Sequence, residues 1–205
     1  MITETDCLLI MGTRGCGKSY LCQMIQKIFP RRVIIDSVDE YPDENAVFSF
    51  DQFAQKIVEL EKTGARDFEI VFKFDPEVGQ NTEEFDELLR CLYYFGNIQI
   101  VIEEVQLFSA PHSVPKWLKN CLLTGRHQGL SLIFTTQRPG ELNKTILSQC
   151  NHIFCGRLVE GNDLRYVSAF LNQDAAKLST LQDRNFLYFS KNGVSEFSTN
   201  GKKSM

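Results

Sequence analysis

The chain has 205 residues, a formal net charge of −4 and a hydrophobic fraction of 43%, which fits one globular domain with a full core and leaves no room for a sizeable second one. The acidic balance offers nucleic acid no global attraction, so such a partner has to be met by a local basic patch. Seven cysteines, an odd number with no C-x-x-C pair, argue against a disulfide framework or zinc site and for reduced thiols in an intracellular compartment.

Met1 to Asp6 lacks the basic start and apolar core of a signal peptide, and no apolar run approaches membrane-spanning length, so the chain reads as soluble. Cys7 to Met11 reads as a short buried strand. It enters Gly12-Thr13-Arg14-Gly15-Cys16-Gly17-Lys18-Ser19-Tyr20, which matches G-x-x-x-x-G-K-[ST] in the strand-loop-helix context that this pattern requires. The following helix is expected over Lys18 to Ile28, with Tyr20, Met24, Ile25 and Ile28 as its apolar residues and positions 21, 24, 25 and 28 on one face. Such a loop aims backbone N–H groups and a helix N-terminus at one spot, which suits a polyphosphate. Lys18 would reach the β and γ phosphates, Ser19 would ligate Mg²⁺, and Gly12, Gly15 and Gly17 would let the backbone approach phosphate closely.

Further along, Arg32 to Asp36 is a β-branched strand and Tyr41-Pro42-Asp43-Glu44 a turn-rich break. Phe53, Ile57 and Leu60 recur at helical spacing before Gly64. Phe68 to Phe74 is a strand ended by Asp75-Pro76. Phe85, Leu88, Leu89 and Leu92 mark a helix capped near Asn81 and stopped by Gly96. Ile98 to Glu104 is an apolar strand ending in two carboxylates. A helix from Ser113 to Thr124 leads through the turn Gly125-Arg126-His127-Gln128-Gly129 into the strand Leu130 to Thr136, closed by Gln137-Arg138-Pro139. Helix near Leu142 to Gln149, strand from His152 to Gly156 and helix near Asp163 to Leu171 follow. Phe186 to Phe189 and Val194 to Phe197 flank Asn192-Gly193, a strong hairpin signal. The tail from Asn200 to Met205 is polar and expected to fray.

Strands alternating with helices predict a single α/β domain over residues 1–205, a mainly parallel sheet with helices on both faces and a C-terminal antiparallel hairpin at one edge. Ligands collect at the carboxyl ends of such strands, where the suggestive residues fall. Glu103 fits an acid for the Mg²⁺ water shell and Glu104 one that orients the attacking water, although strand ends are also commonly polar. Gln137 could sense the γ-phosphate through its amide, or simply mark a strand exit. Arg126, in an exposed turn, could reach a neighbouring subunit's γ-phosphate as an arginine finger; a lone surface arginine is otherwise only solvated.

These blocks, the loop from Gly12 to Ser19, the Glu103-Glu104 strand end and the run from Gly125 to Pro139, resemble the FtsK/HerA superfamily of DNA-pumping ATPases. The compact length resembles the small genome-packaging ATPases of internal-membrane-containing icosahedral viruses. Glu103 stands where that family usually has Asp. The resemblance implies a RecA-like, ASCE-type P-loop ATPase with ATP and Mg²⁺ as cofactors, working as a homo-hexamer on double-stranded DNA. Partners would be capsid or internal-membrane proteins, and the location the virion or host cytoplasm. For DNA contact the basic candidates are Lys116, Lys119 and Arg138. Other readings of a chain this size are a P-loop nucleoside or nucleotide kinase and a nucleotide-dependent phage assembly protein.

Overall fold

A computed structural model describes residues 2–3, 5–74, 80–173 and 175–200. Its centre is a nine-stranded sheet, and each central strand reads as a continuous apolar run because both of its faces are covered. The elements in chain order are β1 (Cys7–Met11), α1 (Lys18–Gln26), β2 (Arg31–Asp36), β3 (Ala46–Val47), α2 (Phe50–Thr63), β4 (Phe68–Lys73) and α3 (Thr82–Phe95). Then come β5 (Ile98–Ile102), α4 (Lys116–Thr124), β6 (Leu130–Thr136), α5 (Lys144–Gln149), β7 (His152–Cys155), α6 (Gly161–Leu171), α7 (Ala175–Thr180), β8 (Asn185–Ser190) and β9 (Gly193–Ser198).

The strand order is β3-β4-β2-β5-β6-β1-β7-β8-β9. Strands β3 to β7 pair in parallel, and β8 and β9 join antiparallel, as the Asn192-Gly193 turn requires. The phosphate-loop strand β1 therefore lies in the middle, between β6 and β7. Its register sets Met11 beside Thr136 and Cys155, so the loops after all three strands open at one end of the sheet.

The two sheet faces are covered unequally. One carries a large core fed by Phe53 and Ile57 of α2, Phe85, Leu88, Leu89 and Leu92 of α3, Leu118 and Cys121 of α4, Ile146 of α5, Val167 of α6 and Leu178 of α7. On the other face the helix contribution comes from α1, through Leu21, Cys22 and Ile25 against Leu8, Ile10, Ile34, Val101 and Ile133.

This corrects the expected face of α1. Tyr20 and Met24 are each 45% exposed and Ile28 is 66% exposed, and the helix ends at Gln26 rather than Ile28. Its buried stripe is Lys18, Leu21, Cys22, Ile25 and Gln26. Gln26 is drawn inward because its side-chain oxygen accepts from the Tyr41 hydroxyl at 3.2 Å. Other boundaries shift for local reasons. Helix α4 starts at Lys116, after Pro115 at the N-cap, and the turn over Gly125–Gln128 is a 3-10 extension of it, ended by Gly129 at φ 71. β5 ends at Ile102, so both acids lie beyond the strand. The expected strand stop at Asp75-Pro76 and the tail residues 201–205 lie outside the described residues.

Candidate active site

The Gly12 to Ser19 loop is stitched down on both sides by backbone hydrogen bonds. Gly12 N–H donates to the Thr136 carbonyl at 3.2 Å and Thr13 N–H to the Arg157 carbonyl at 2.8 Å. Gly12, Gly15 and Gly17 have φ of 149°, 81° and 98°, values that L side chains rarely adopt, which is why this loop is built on glycine. Gly17 caps α1 with no side-chain acceptor and no acid lies in the first turn, so the N–H groups there are left for a ligand. Lys18 is 6% exposed and its ammonium lies 3.4 Å from the Thr13 carbonyl, folded back across the loop. Cys16 is fully buried beneath the loop, and burial pushes its thiol up.

Beside this loop opens a cavity of about 590 Å³ lined by Arg14, Gly15, Gly17, Lys18, Ser19, Tyr20, Val38, Glu40, Gln137 and Arg184. Gln137, just past β6, ties it to the acids. Its backbone N–H and side-chain amide both donate to the Glu104 carboxylate, at 2.8 and 2.9 Å, and the Gln106 amide donates to the same group at 2.7 Å. Glu104 has φ 50° and ψ 55°, a left-handed conformation uncommon outside glycine. It is held there by its N–H, which donates to the Thr135 hydroxyl at 3.0 Å.

Glu103 is 2% exposed. One carboxylate oxygen accepts from the Tyr41 hydroxyl at 3.1 Å and the other from the Thr135 hydroxyl. Burial pushes its carboxyl up to about 7, opposed by the Thr135 and Tyr41 hydrogen bonds and reinforced by the charges of Glu40 and Glu104. Thr135 thus accepts from one acid's backbone and donates to the other's carboxylate, fixing the pair relative to β6. Tyr41 reaches Glu103 because the loop after β2 is folded around two buried charges. Asp36 accepts from the N–H groups of Val38, Glu40 and Tyr41, and the Lys73 ammonium binds Asp39, Asp43 and the Tyr41 carbonyl.

The structure therefore gathers Gly12 to Tyr20, Gln137 and Glu104 at the carboxyl end of the central strands, with Glu103 buried next to Glu104. Arg126 is exposed and stands at the other end, before β6, in a pocket with Thr5, Asp6 and Cys7. Tyr41, Gln106, Thr135 and Arg184 were not singled out from the sequence. Only Thr135 carried a signal, as a polar residue in the last two positions of an apolar strand, two before Gln137.

A family model described as an AAA domain matches residues 2–146, more than half of the chain. The chain belongs to the AAA-domain family. Protein P9 of Pseudoalteromonas phage PM2 is 28% identical to it over 191 residues, 91% of this chain and 85% of that one. Among solved structures, the genome packaging NTPase B204 of Sulfolobus turreted icosahedral virus 2, in complex with ATP-gammaS, matches with a TM-score of 0.76 at 23% identity, over 96% of this chain and 98% of that chain. VirB4 of Thermoanaerobacter pseudethanolicus matches with a TM-score of 0.69 at 11% identity, covering 94% and 88%. At these identities the structural likenesses show a shared fold. The AAA domain, with its phosphate-loop site, is an ATP hydrolase. Among the described residues no helix is long and apolar enough to cross a membrane.

Proposed function

We propose that this AAA domain is an ATP-driven motor that moves double-stranded DNA, packaging a viral genome as a homo-hexameric ring. In this reading Lys18 and the loop N–H groups bind the β and γ phosphates, Glu104 orients the attacking water, and Gln137 reads the γ-phosphate while holding Glu104. Ser19 and Glu103 are the residues that would hold Mg²⁺, an all-oxygen pair suited to a hard cation. A carboxyl that burial pushes up to about 7 is one that a divalent ion would return to its charged form.

The observation that carries the ring is the position of Arg126. β1 and β6 run parallel, and Lys18 follows the end of one while Arg126 precedes the start of the other. The five residues of β1 put about 17 Å of strand between the two ends, so Arg126 cannot serve its own phosphate loop. An exposed arginine there fits a finger offered to the next subunit. The whole-chain likeness to a packaging NTPase supports the same reading. Lys116 and Lys119 are the exposed basic residues for DNA, whereas Arg138 is engaged by Glu160 at 3.0 Å. The virion or host cytoplasm is the setting, with capsid or internal-membrane proteins as partners.

The test is ATP hydrolysis by the purified chain with and without linear double-stranded DNA, alongside its mass in solution. Stimulation by DNA together with a hexamer is expected. A monomer that transfers phosphate to a nucleoside would overturn the motor.

A further inference from the structure

We propose that Arg184 and Tyr20 form the base-binding end of the nucleotide site, a platform on which the purine of the triphosphate stacks. This rests on the reading that the Gly12 to Ser19 loop holds a nucleoside triphosphate. Arg184 lies beyond residues 2–146, outside the matched family region.

Its backbone is built onto the phosphate loop. Arg184 N–H donates to the Cys16 carbonyl at 2.8 Å, and its own carbonyl accepts from Thr199 N–H at 3.0 Å, so the turn entering β8 is pinned between the loop and the end of β9. The residue has φ 64°, a conformation that costs energy in a non-glycine and is retained here by those two bonds. Its stem fills the space beside Gly17: a Cβ added there would lie 3.0 Å from Arg184 Cγ.

The guanidinium sits 5.0 Å from the centroid of the Tyr20 ring. No ion pair of Arg184 is recorded among the described residues, while neighbouring Asp183 is taken by Arg157 at 2.9 Å. A charge without an ion pair, over the face of a 45% exposed aromatic and in the cavity shared with Lys18 and Ser19, is placed for a ligand.

Sheet order says which part of the ligand. Glu104 and Gln137 fix the γ-phosphate end on the β5 and β6 side of β1. The nucleoside end then runs the other way, across β1 toward β7 and β8, where Arg184 stands. A planar guanidinium and an aromatic ring read the face of a base rather than its edge, so ATP and GTP are taken alike.

The experiment is equilibrium binding of ATP, GTP and inorganic tripolyphosphate, each with Mg²⁺, to the full chain. Arg184→Ala and Tyr20→Ala each weaken both nucleotides about tenfold, the scale of one base-stacking contact, and change tripolyphosphate affinity less than about twofold. Arg184→Lys, which keeps the charge and most of the stem, loses as much as Arg184→Ala and supplies the comparison if the alanine protein does not fold. Equal losses for ATP and tripolyphosphate, or unchanged ATP binding, would overturn the platform. Lys18→Ala separates the two readings: it is expected to lose all three ligands. Retention of all three there would sink the phosphate-loop reading, while the Arg184 comparison still decides the platform.

Discussion

Gln137 binds Glu104 twice, through its backbone N–H at 2.8 Å and its side-chain amide at 2.9 Å. The carboxylate proposed to orient the attacking water is thereby aimed by a residue that also lines the cavity beside the Gly12 to Ser19 loop. Removing the side-chain half of this clamp leaves the backbone bond and lets the carboxylate rotate. Gln137→Ala is expected to lower kcat by about 10- to 100-fold, a loss of positioning rather than of the base itself, with ATP affinity within a few fold of wild type. An unchanged kcat would mean that the clamp has no part in turnover.

Glu103 makes a stability prediction whose sign follows from its burial. Its folded carboxyl is pushed up to about 7, above the ordinary glutamate value near 4.5. Between those two values the folded chain holds a proton that the unfolded chain has lost, so this group stabilises fully below about 4.5. Its contribution then falls as pH rises through the window, by at most about 1.4 kcal/mol per pH unit. Glu103→Gln, neutral and of the same shape, removes that fall. Its melting temperature should exceed that of wild type at pH 8 and converge with it near pH 4.5, while Mg²⁺-dependent turnover is lost. Parallel melting curves across this range would contradict the assigned burial cost.

Cys16 makes the loop's packing testable. A Cβ at Gly156 would lie 2.9 Å from the Cys16 sulfur and 3.1 Å from the Phe186 ring. Gly156→Ala should therefore cost about 1–3 kcal/mol of stability by overpacking. Adding Cys16→Ala removes the nearer contact and should recover part of that loss, which a double-mutant cycle by thermal or urea unfolding reads directly. Strict additivity would show that the sulfur is not what Gly156 accommodates.

Much of this site was legible because it rests on local chemistry. Glycines at positive φ, a lysine-serine pair opening a helix and apolar runs ending in acids or in Gln137 carry their roles within a few residues. What was missed needs distant contacts. Tyr41 belongs to a polar turn by sequence and reaches Glu103 only because Asp36 and Lys73 fold that turn inward. Arg184 meets the phosphate loop only once β8 docks beyond β7. On α1 two stripes at helical spacing compete, and hydrophobicity favoured Met24 and Ile28. The structure buries Cys22 and Gln26 instead, because Gln26 has a hydrogen-bond partner inside. β3 with two residues and α7 with six are too short for periodicity to register.

The proposed finger predicts complementation. Arg126→Ala subunits should be inactive alone, as should Lys18→Ala subunits. Mixed, they should regain partial DNA-stimulated hydrolysis, because a ring then contains interfaces where an intact loop faces an intact Arg126. No recovery at any mixing ratio would place Arg126 outside the catalytic interface.

Hydrolysis where the Gly12 to Ser19 loop faces Glu104 requires the Glu104 carboxylate for turnover but not for nucleotide binding. This requirement is tested most directly by single-turnover ATP hydrolysis in the Glu104→Gln protein, with ATP binding measured on the same sample. Binding close to that of wild type is expected, with a hydrolysis rate lower by about 10²–10⁴-fold. Wild-type hydrolysis by that protein would contradict it.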